Sequence, residues 1–231
     1  MHVDINYMRT LYNTDNEVVF REDVSYTNKP FLGVLITNNS QKYVIPLTSA
    51  KPKHRLWPDS NKGFYRIYEI IDIRTTPYDS EDIMVDITNN TILTNRKIAE
   101  NEIKYFKKRI LSVLEIRKMI PVIDGVYSIV DLSTDNLDIS HKKVLRRNLL
   151  YKEYIFCKKI KDGILTKASK IYKKQMETGK VLKYHCNYKA LEQVAKKLFI
   201  KSSTLYYLFK RDCFFIYNVY IIVIYMNGIS N

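Results

Sequence analysis

The chain of 231 residues is long enough for one domain with a hydrophobic core and too short for two large ones. Hydrophobic residues make up 46% of it and charged residues 27%, a globular balance that excludes wholesale disorder. Gly and Pro number 6 each, which excludes a collagenous or low-complexity chain. The net charge of +14 favours a polyanionic partner, nucleic acid ahead of an anionic membrane.

The excess positive charge is concentrated in one part of the chain. Residues 141–200 contain 17 Lys and Arg against 4 Asp and Glu, whereas residues 1–140 contain 18 against 19. Such a local basic field is typical of a nucleic-acid-binding surface. The alternative is a solvated, lysine-rich helical surface with no partner.

Metal and cofactor sites are not indicated. Cys157, Cys186 and Cys213 have no paired spacing, and the four histidines are scattered, so we expect neither a disulfide framework nor a metal site. We expect no cofactor. The first residues lack a basic stretch followed by an apolar run, which favours a cytoplasmic protein.

Short segments rich in β-forming residues predict a mainly antiparallel sheet in the first two-thirds of the chain. The asparagines of 37–41 are typical of a hairpin turn. Together these segments predict an α+β fold with a compact, partly barrel-like sheet. The predicted strands are 31–36, 42–47, 64–73, 109–114 and 126–132.

We interpret the polar stretch 74–107 as an insertion, whose second half, from residue 95 to 108, has helical propensity. A C-terminal extension, 201–231, follows a main domain of residues 1–200. Its apolar run, 214–226, is too short to span a membrane as a helix, and its β-branched and tyrosine content favours a strand. A hydrophobic interaction element is the second possibility for this run and a membrane anchor the third.

Residues 140–200 predict three helices with apolar stripes facing the core. The first helix has its stripe at Leu145, Leu149, Phe156 and Ile160. The second follows the break at Asp162-Gly163 and ends at Gly179, and the third begins at the N-cap Asn187. We expect the first helix to contact RNA through its basic residues, which include Lys142, Lys143, Arg146, Arg147 and Lys152.

One tetrapeptide, Thr48-Ser49-Ala50-Lys51, directly follows a predicted strand. Two hydroxyls and an ammonium at a strand end can hydrogen-bond a phosphate and neutralise its charge. By spacing alone, an ordinary polar turn is the more common reading of this pattern. The predicted hairpin could bring Lys29 to the same end of the sheet. The 19 tyrosines offer stacking platforms for unpaired bases, although many must belong to the core.

Several segments, in order, resemble the ToxN/AbiQ family. The resemblance covers roughly residues 5 to 198. The segments are 29–34 (KPFLGV), 42–51 (KYVIPLTSAK), 119–122 (MIPV), 149–156 (LLYKEYIF) and 186–191 (CNYKAL). The 74–107 stretch is longer than in the shorter family members, and the apolar tail has no counterpart in the family pattern.

The resemblance implies an endoribonuclease toxin of a type III toxin–antitoxin system, active in abortive infection against phage, with a sheet similar to the Kid/MazF fold. It implies cleavage without metal, inhibition by a small pseudoknotted RNA, and a closed ring of alternating protein and RNA. The matching active-site positions are Thr48, Ser49, Lys51, Lys29 and Tyr151. Tyr26 and Tyr7 match less closely, and we assign them to RNA binding.

The predicted mechanism is attack of the RNA's own 2′-hydroxyl on the adjacent phosphate, giving 2′,3′-cyclic phosphate and 5′-hydroxyl ends. This chemistry needs a proton acceptor, a proton donor and stabilisation of extra negative charge, and no external nucleophile. The alternative function is a non-catalytic RNA-binding protein. DNA binding and membrane association are weaker alternatives, because the sequence has no helix-turn-helix or zinc-finger pattern and no long apolar segment.

Overall fold

The computed structural model describes residues 1–21, 30–36, 41–88, 94, 96–132 and 140–212. The predicted turn at 37–41 is described only at residue 41, and the apolar run 214–226 lies outside the described residues. The fold is α+β, with an antiparallel sheet in the first two-thirds of the chain and helices in the last third. This confirms the predicted fold class.

The described part of the chain forms four helices and eight strands. The helices are α1 (Ile5–Thr14), α2 (His141–Lys159), α3 (Lys161–Thr178) and α4 (Tyr188–Asp212). The strands are β1 (His2–Val3), β2 (Phe31–Ile36), β3 (Lys42–Ser49), β4 (Tyr65–Asp72), β5 (Ile83–Asp86), β6 (Phe106–Leu114), β7 (Ile120–Val122) and β8 (Tyr127–Ser128). The first four predicted strands correspond to β2, β3, β4 and β6.

The main sheet is built around β3 and β6, each of which changes neighbours along its length. One edge of β3 pairs with β2, while the other pairs with β7 through 42–44 and with β6 through 47–49. One edge of β6 pairs with β4, and the other with β5 and the end of β3. All these pairings are antiparallel, and the exchange of neighbours curls the sheet into a half-barrel.

The core lies inside this curl and beneath the helices. Residues 43–47 of β3 are buried on both faces of the strand. Tyr43 packs edge-on against Tyr172 and Tyr188, and its hydroxyl donates a hydrogen bond of 2.8 Å to Glu192. The end of β3 emerges from the core at Ser49, which is exposed. The strand therefore presents a polar terminus on a rigid, buried base.

The 74–107 stretch contributes directly to the main sheet. It contains β5, which pairs with β6, and the first residues of β6 itself. The helical propensity of 95–108 is realised only as a 3-10 turn over Glu100–Tyr105. The helix prediction was wrong beyond this turn, because the following residues pair with β4 and β5 as part of β6. An ion pair of 2.5 Å between Lys107 and Asp86 supports the pairing with β5.

The strand predicted at 126–132 was also largely wrong. Only Tyr127 and Ser128 form a strand, β8, which pairs with β1 in a separate two-stranded sheet. Because β1 has only two residues, its hydrogen bonds with β8 end after Ser128 and Tyr127. The pairing instead anchors the start of the chain, where Asp4 Oδ1 caps α1 by accepting a hydrogen bond of 2.8 Å from the Tyr7 amide.

Helix α2 is rotated relative to the predicted apolar stripe. Leu145 and Leu149 are 56% and 37% exposed, and the buried residues of this helix are Glu153 and Cys157. The core assignment of the two leucines was therefore wrong. The helix packs on β4 and β6, and this packing, rather than the leucine spacing, determines its buried face.

The ends of the other two helices agree with their sequence signals. Gly179 ends α3 with φ 66°, and the Asn187 side chain accepts a hydrogen bond of 3.1 Å from the Ala190 amide at the start of α4. The chain divides into two compact units, Met1–Ala195 and Lys196–Asn231. The first contains the sheet, and the second contains the last part of α4.

Candidate active site

A cleft of about 740 Å³ opens where β3 ends. The end of β3 meets the end of β6 on one side, α2 covers another, and the chain segment that follows α1 borders a third. Thr48, Ser49 and Lys51 all line this cleft, together with Ser112 of β6 and Arg146 of α2. The structure therefore brings the Thr-Ser-x-Lys motif and one predicted basic residue of the helix into a single concave site.

The two hydroxyls of the motif have different surroundings. Thr48 donates a hydrogen bond of 3.2 Å to the Val113 carbonyl, so its hydroxyl proton is already in use in the folded chain. Ser49 is exposed at the end of the strand and is the cross-strand partner of Ser112. Ser49 is thus the hydroxyl that an incoming phosphate meets first, while Thr48 offers it only an acceptor oxygen.

Lys51 is held at the start of a 3-10 turn, Pro52–Leu56, by a buried histidine. Its amide donates a hydrogen bond of 3.0 Å to His54 Nδ1. His54 is 2% exposed, and burial, with the charges of Lys53, Lys51 and Arg66, lowers its pKa to about 4. The imidazole is therefore neutral at pH 7 and serves as an acceptor that fixes the turn. No pattern in the sequence connects this histidine with the motif.

Beneath the motif lies a buried carboxyl group that the sequence analysis did not identify. Glu153 of α2 lines the cleft but is only 3% exposed. Glu153 Oε2 and Ser112 Oγ are both buried, and neither makes a well-formed hydrogen bond with a described residue, although the Ser112 hydroxyl lies close enough to the carboxyl group to stabilise its charge. Burial raises the pKa of Glu153, while the nearby Ser112 hydroxyl and the charge of Arg146 act in the opposite direction. A glutamate within a helix gives no sequence signal of this kind.

An aromatic pair, Tyr12 and Phe20, borders the same cleft. Their ring centroids are 5.5 Å apart with the planes inclined by 45°. Tyr12 is exposed, so its ring offers a face on which an unpaired base can stack. Beside them, the ammonium of Lys118 forms an ion pair with Glu17 at the edge of the cleft.

The remaining predicted basic residues lie elsewhere on α2 and do not line this cleft. Lys142 and Lys143 are exposed in its first turn, and Arg147 is half-buried. Lys152 is bound to Glu69, at 2.8 Å, in an ion-pair network that also includes Arg109. Of the predicted RNA-binding cations, Arg146 is the one that the structure places in the cleft.

Of the predicted tyrosines, the two that the structure describes, Tyr7 and Tyr151, are not brought together with the motif. Tyr151 is 53% exposed on α2 and is not among the cleft-lining residues. Tyr7 is 4% exposed, and its hydroxyl donates a hydrogen bond of 2.9 Å to the Pro121 carbonyl, so it packs α1 onto β7. Lys29 and Tyr26 lie outside the described residues, although Pro30 lines the cleft. The roles of all four stay predictions, and the burial of Tyr7 gives its role no support.

A second cleft, of about 580 Å³, lies beside α3. Its apolar lining residues include Ile171 and Leu182, and none of its described lining residues is acidic. The surrounding cations are Lys62, Lys167, Lys170, Lys174 and Lys180. This lysine cleft has the charge needed to contact a polyanion at a place distinct from the first cleft.

Within the described ranges, no group of three or more His, Cys, Asp or Glu side chains is placed to hold a metal ion. The same part of the chain contains no helix with the length and apolar character needed to cross a bilayer.

Comparisons with known proteins assign the chain to a class. A family model described as the toxin ToxN of type III toxin–antitoxin systems matches residues 1–196. The class is therefore that of the protein toxins of type III systems. The chain belongs to the ToxN family, which confirms the resemblance stated from its motifs.

Individual relatives agree with this assignment. Endoribonuclease ToxN of Pectobacterium atrosepticum is 24% identical over 192 residues, which cover 83% of this chain and 88% of the relative. The solved structure of AbiQ, a lactococcal anti-phage endoribonuclease of a type III system, has a TM-score of 0.57 at 21% identity, covering 87% of this chain and 96% of AbiQ. A structure showing selective toxin inhibition by a non-coding RNA pseudoknot has a TM-score of 0.55 at 20% identity, covering 85% and 95%.

Proposed function

We propose that the chain is a sequence-selective endoribonuclease toxin that cleaves single-stranded RNA in the cleft at the end of β3. The observation that carries this proposal is the convergence of Ser49, Lys51 and Arg146 on one concave site bordered by an exposed aromatic ring. Cations and hydroxyls bind the RNA backbone, while the ring accepts a base. Toxicity then follows from cleavage of cellular or phage RNA in the cytoplasm.

The proposed reaction is attack of a 2′-hydroxyl on the adjacent phosphorus, which forms a 2′,3′-cyclic phosphate and releases a 5′-hydroxyl. Lys51 and Arg146 stabilise the added negative charge of the transition state, and Ser49 donates a hydrogen bond to a phosphate oxygen. The nucleophile belongs to the substrate, so the reaction does not need a metal-activated water. We therefore propose that cleavage is independent of divalent metal.

A cleavage assay tests the reaction. Purified protein incubated with single-stranded RNA in EDTA is expected to give fragments whose 5′-hydroxyl ends are phosphorylated by a kinase without prior phosphatase treatment. Their 3′ ends should become free hydroxyls only after the cyclic phosphate is opened and removed. Binding without cleavage, with or without added Mg²⁺, would instead support the alternative of a non-catalytic RNA-binding protein.

Substitutions in the motif test the site. Ser49→Ala and Lys51→Ala are expected to abolish toxicity and to lower cleavage by about 10²-fold or more, because each removes a group that stabilises the transition state. Both side chains are exposed, so thermal stability should remain within about 0.5 kcal/mol of the wild type. Lys158→Ala, an exposed lysine at the end of α2, is the matched control for a simple loss of charge.

We further propose that a small pseudoknotted RNA inhibits the toxin by occupying the active-site cleft, in a closed ring of alternating protein and RNA. A ring requires each protein to contact two RNA molecules, and the lysine cleft beside α3 is the candidate for the second contact. Short tandem repeats followed by a terminator, directly upstream of the coding sequence, would encode this antitoxin. Co-expression of that DNA is expected to remove toxicity.

The double substitution Lys170→Gln and Lys174→Gln tests the second contact. Both lysines line the lysine cleft, so their loss should weaken antitoxin binding and reduce the dependence of its affinity on salt. Cleavage of a short RNA that fits only the active-site cleft should be unchanged. Unaltered assembly of the ring by the double variant would place the second contact elsewhere.

A further inference from the structure

Glu153 has a buried acceptor oxygen whose hydrogen bonding the folded chain leaves incomplete, since the Ser112 hydroxyl close to the carboxyl group also lacks a well-formed hydrogen bond. The Oε2 atom makes no well-formed hydrogen bond with a described residue, yet the Glu153 side chain lines the active-site cleft. A buried polar group of this kind destabilises the fold unless a ligand completes its hydrogen bonding. An oxygen that only accepts, at the wall of an RNA-binding cleft, is suited to a hydroxyl of the substrate.

The position of Glu153 relative to Ser49 defines that hydroxyl. Ser49 and Ser112 are cross-strand partners, so their side chains leave the same face of the sheet about 5 Å apart. Ser112 and Glu153 are neighbours beneath α2. A phosphate bound by Ser49 therefore brings the ribose hydroxyl next to it within reach of the carboxyl group.

We propose that Glu153 is the general base of the cleavage reaction, with Oε2 accepting the proton of the attacking 2′-hydroxyl. This inference rests on the proposed function, because it concerns the proton of the same 2′-hydroxyl. It supplies a proton acceptor for the reaction, whereas the Thr-Ser-x-Lys motif supplies hydroxyls and positive charge.

Two groups of the cleft, Glu153 and Lys51, accept and donate the protons that this step moves. The bond between the 2′-oxygen and phosphorus forms as the 2′-hydroxyl proton moves to the Glu153 carboxylate. The bond between phosphorus and the 5′-oxygen breaks, and the Lys51 ammonium donates a proton to the leaving oxygen. Exchange with water then returns the proton from Glu153 to solvent and a proton to Lys51.

The charged groups around Glu153 favour this role. The charge of Arg146, two turns earlier on α2, acts on Glu153, and Lys51 at the end of β3 lines the same cleft. Glu17 and Lys118, also in the cleft, neutralise each other. Burial raises the pKa of Glu153, which makes its carboxylate a stronger base than that of an exposed glutamate. One turn further on, burial raises the pKa of the Cys157 thiol to about 12, so this thiol stays protonated over the range in which Glu153 titrates.

The isosteric variant Glu153→Gln separates catalysis from structure. An amide fits the same space without a charge, so the variant should fold with a thermal midpoint equal to or above that of the wild type. It should bind a non-cleavable 2′-O-methyl RNA as tightly as the wild type does. Its single-turnover cleavage rate should fall by about 10²- to 10⁴-fold, the usual contribution of a general base. Glu177→Gln, an exposed glutamate on α3, is the matched control and should cleave normally.

The pH dependence gives a readout that a structural role would not change. The wild-type rate is expected to rise with pH and level off once Glu153 has lost its proton, and Glu153→Gln should lack this break. Glu153→Asp, with a shorter side chain, should restore the break at a reduced rate and keeps the test decisive if the glutamine variant is unstable. A glutamine variant within a few-fold of the wild-type rate, or one with the wild-type break, would overturn the proposal.

A substrate with sulfur in place of the 5′-oxygen at the mapped cleavage site distinguishes base from acid. Thiolate leaves without protonation, so the sulfur substrate should restore cleavage by Lys51→Ala but not by Glu153→Gln. Rescue of Glu153→Gln would make Glu153 the acid and refute its role as base. Wild-type products without a cyclic phosphate would refute the proposed reaction as well, whereas cyclic ends with a fully active Glu153→Gln would refute the role of Glu153 alone.

Discussion

The backbone amide of Lys51 donates a hydrogen bond of 3.0 Å to Nδ1 of His54, and this imidazole lies buried under the turn that presents the lysine to the cleft. The ring also packs against Trp57, with centroids 4.6 Å apart and the planes inclined by 55°. His54 does not line the cleft among the described residues. It is a positioning residue, which acts on the reaction only through the direction in which Lys51 leaves the strand.

Replacement of His54 should therefore impair cleavage without removing any group from the cleft. His54→Ala leaves a cavity and an unpartnered Lys51 amide, and we expect a loss of about 2–4 kcal/mol in the free energy of unfolding. The single-turnover cleavage rate should fall at least about tenfold, because the Lys51 ammonium is less well placed.

His54→Asn is the informative companion of the alanine variant, because its Oδ1 can accept the bond from the Lys51 amide and should restore part of the rate. Lys53→Ala, at an exposed neighbouring position, controls for surface effects and should change stability by less than about 0.5 kcal/mol. Full activity of His54→Ala would show that the turn holds Lys51 without the histidine.

The lowered pKa of His54 predicts how stability depends on pH. The folded state binds a proton at His54 only near pH 4, whereas the unfolded chain binds it near the ordinary value of 6.5. As pH falls from 6.5 to 4, the unfolded state is favoured, and His54 should lower the free energy of unfolding by up to about 3 kcal/mol. Above pH 6.5 this contribution is constant.

Denaturant unfolding of the wild type and of His54→Asn at a series of pH values measures this effect. The variant retains His185, whose pKa is also lowered by burial, so the difference between the two proteins isolates His54. A difference that stays constant from pH 7 to pH 4 would contradict the buried, neutral imidazole.

Tyr12 should contribute to RNA binding by stacking. Its exposed ring lies beside Phe20 at the border of the cleft. Tyr12→Ala is expected to weaken binding of a 2′-O-methyl single-stranded RNA by about 1–3 kcal/mol, or roughly 5- to 150-fold in Kd. Tyr12→Phe should bind normally, because stacking does not need the hydroxyl.

Tyr78→Ala is the control for loss of an exposed tyrosine, since Tyr78 does not line the cleft in the described structure. Equal affinities for the Tyr12 and Tyr78 alanine variants would remove Tyr12 from the RNA-binding surface.

Tyr7→Phe tests whether this tyrosine, which matches a family active-site position, binds RNA or stabilises the fold. The hydroxyl is buried and donates to the Pro121 carbonyl, so its removal should lower the free energy of unfolding by about 1 kcal/mol. The Kd for RNA and the cleavage rate should stay at wild-type values. A cleavage defect with unchanged stability would show that Tyr7 acts in the active site. Because its side chain is buried, the core would then have to open for the tyrosine to contact RNA.

Local sequence signals determined much of the scaffold. The β-forming runs predicted β2 and β3, Gly179 marked the end of α3, and Asn187 marked the start of α4, because these signals depend on backbone conformation and nearby hydrogen bonds. The Thr-Ser-x-Lys motif was visible for the same reason. Its residues are adjacent in sequence and leave the same strand end, so no tertiary information was needed to group them.

Only the tertiary structure decided which residues complete the site. Helix α2 has two possible inner faces, and packing on β4 and β6 selected the one with Glu153 and Cys157 over the leucine stripe. The same packing places Glu153, some hundred residues from Ser49 in sequence, beside the cross-strand partner of that serine. Long-range packing determines the rotation of a helix and the register of a strand. The local spacing of apolar residues contains no information about that packing.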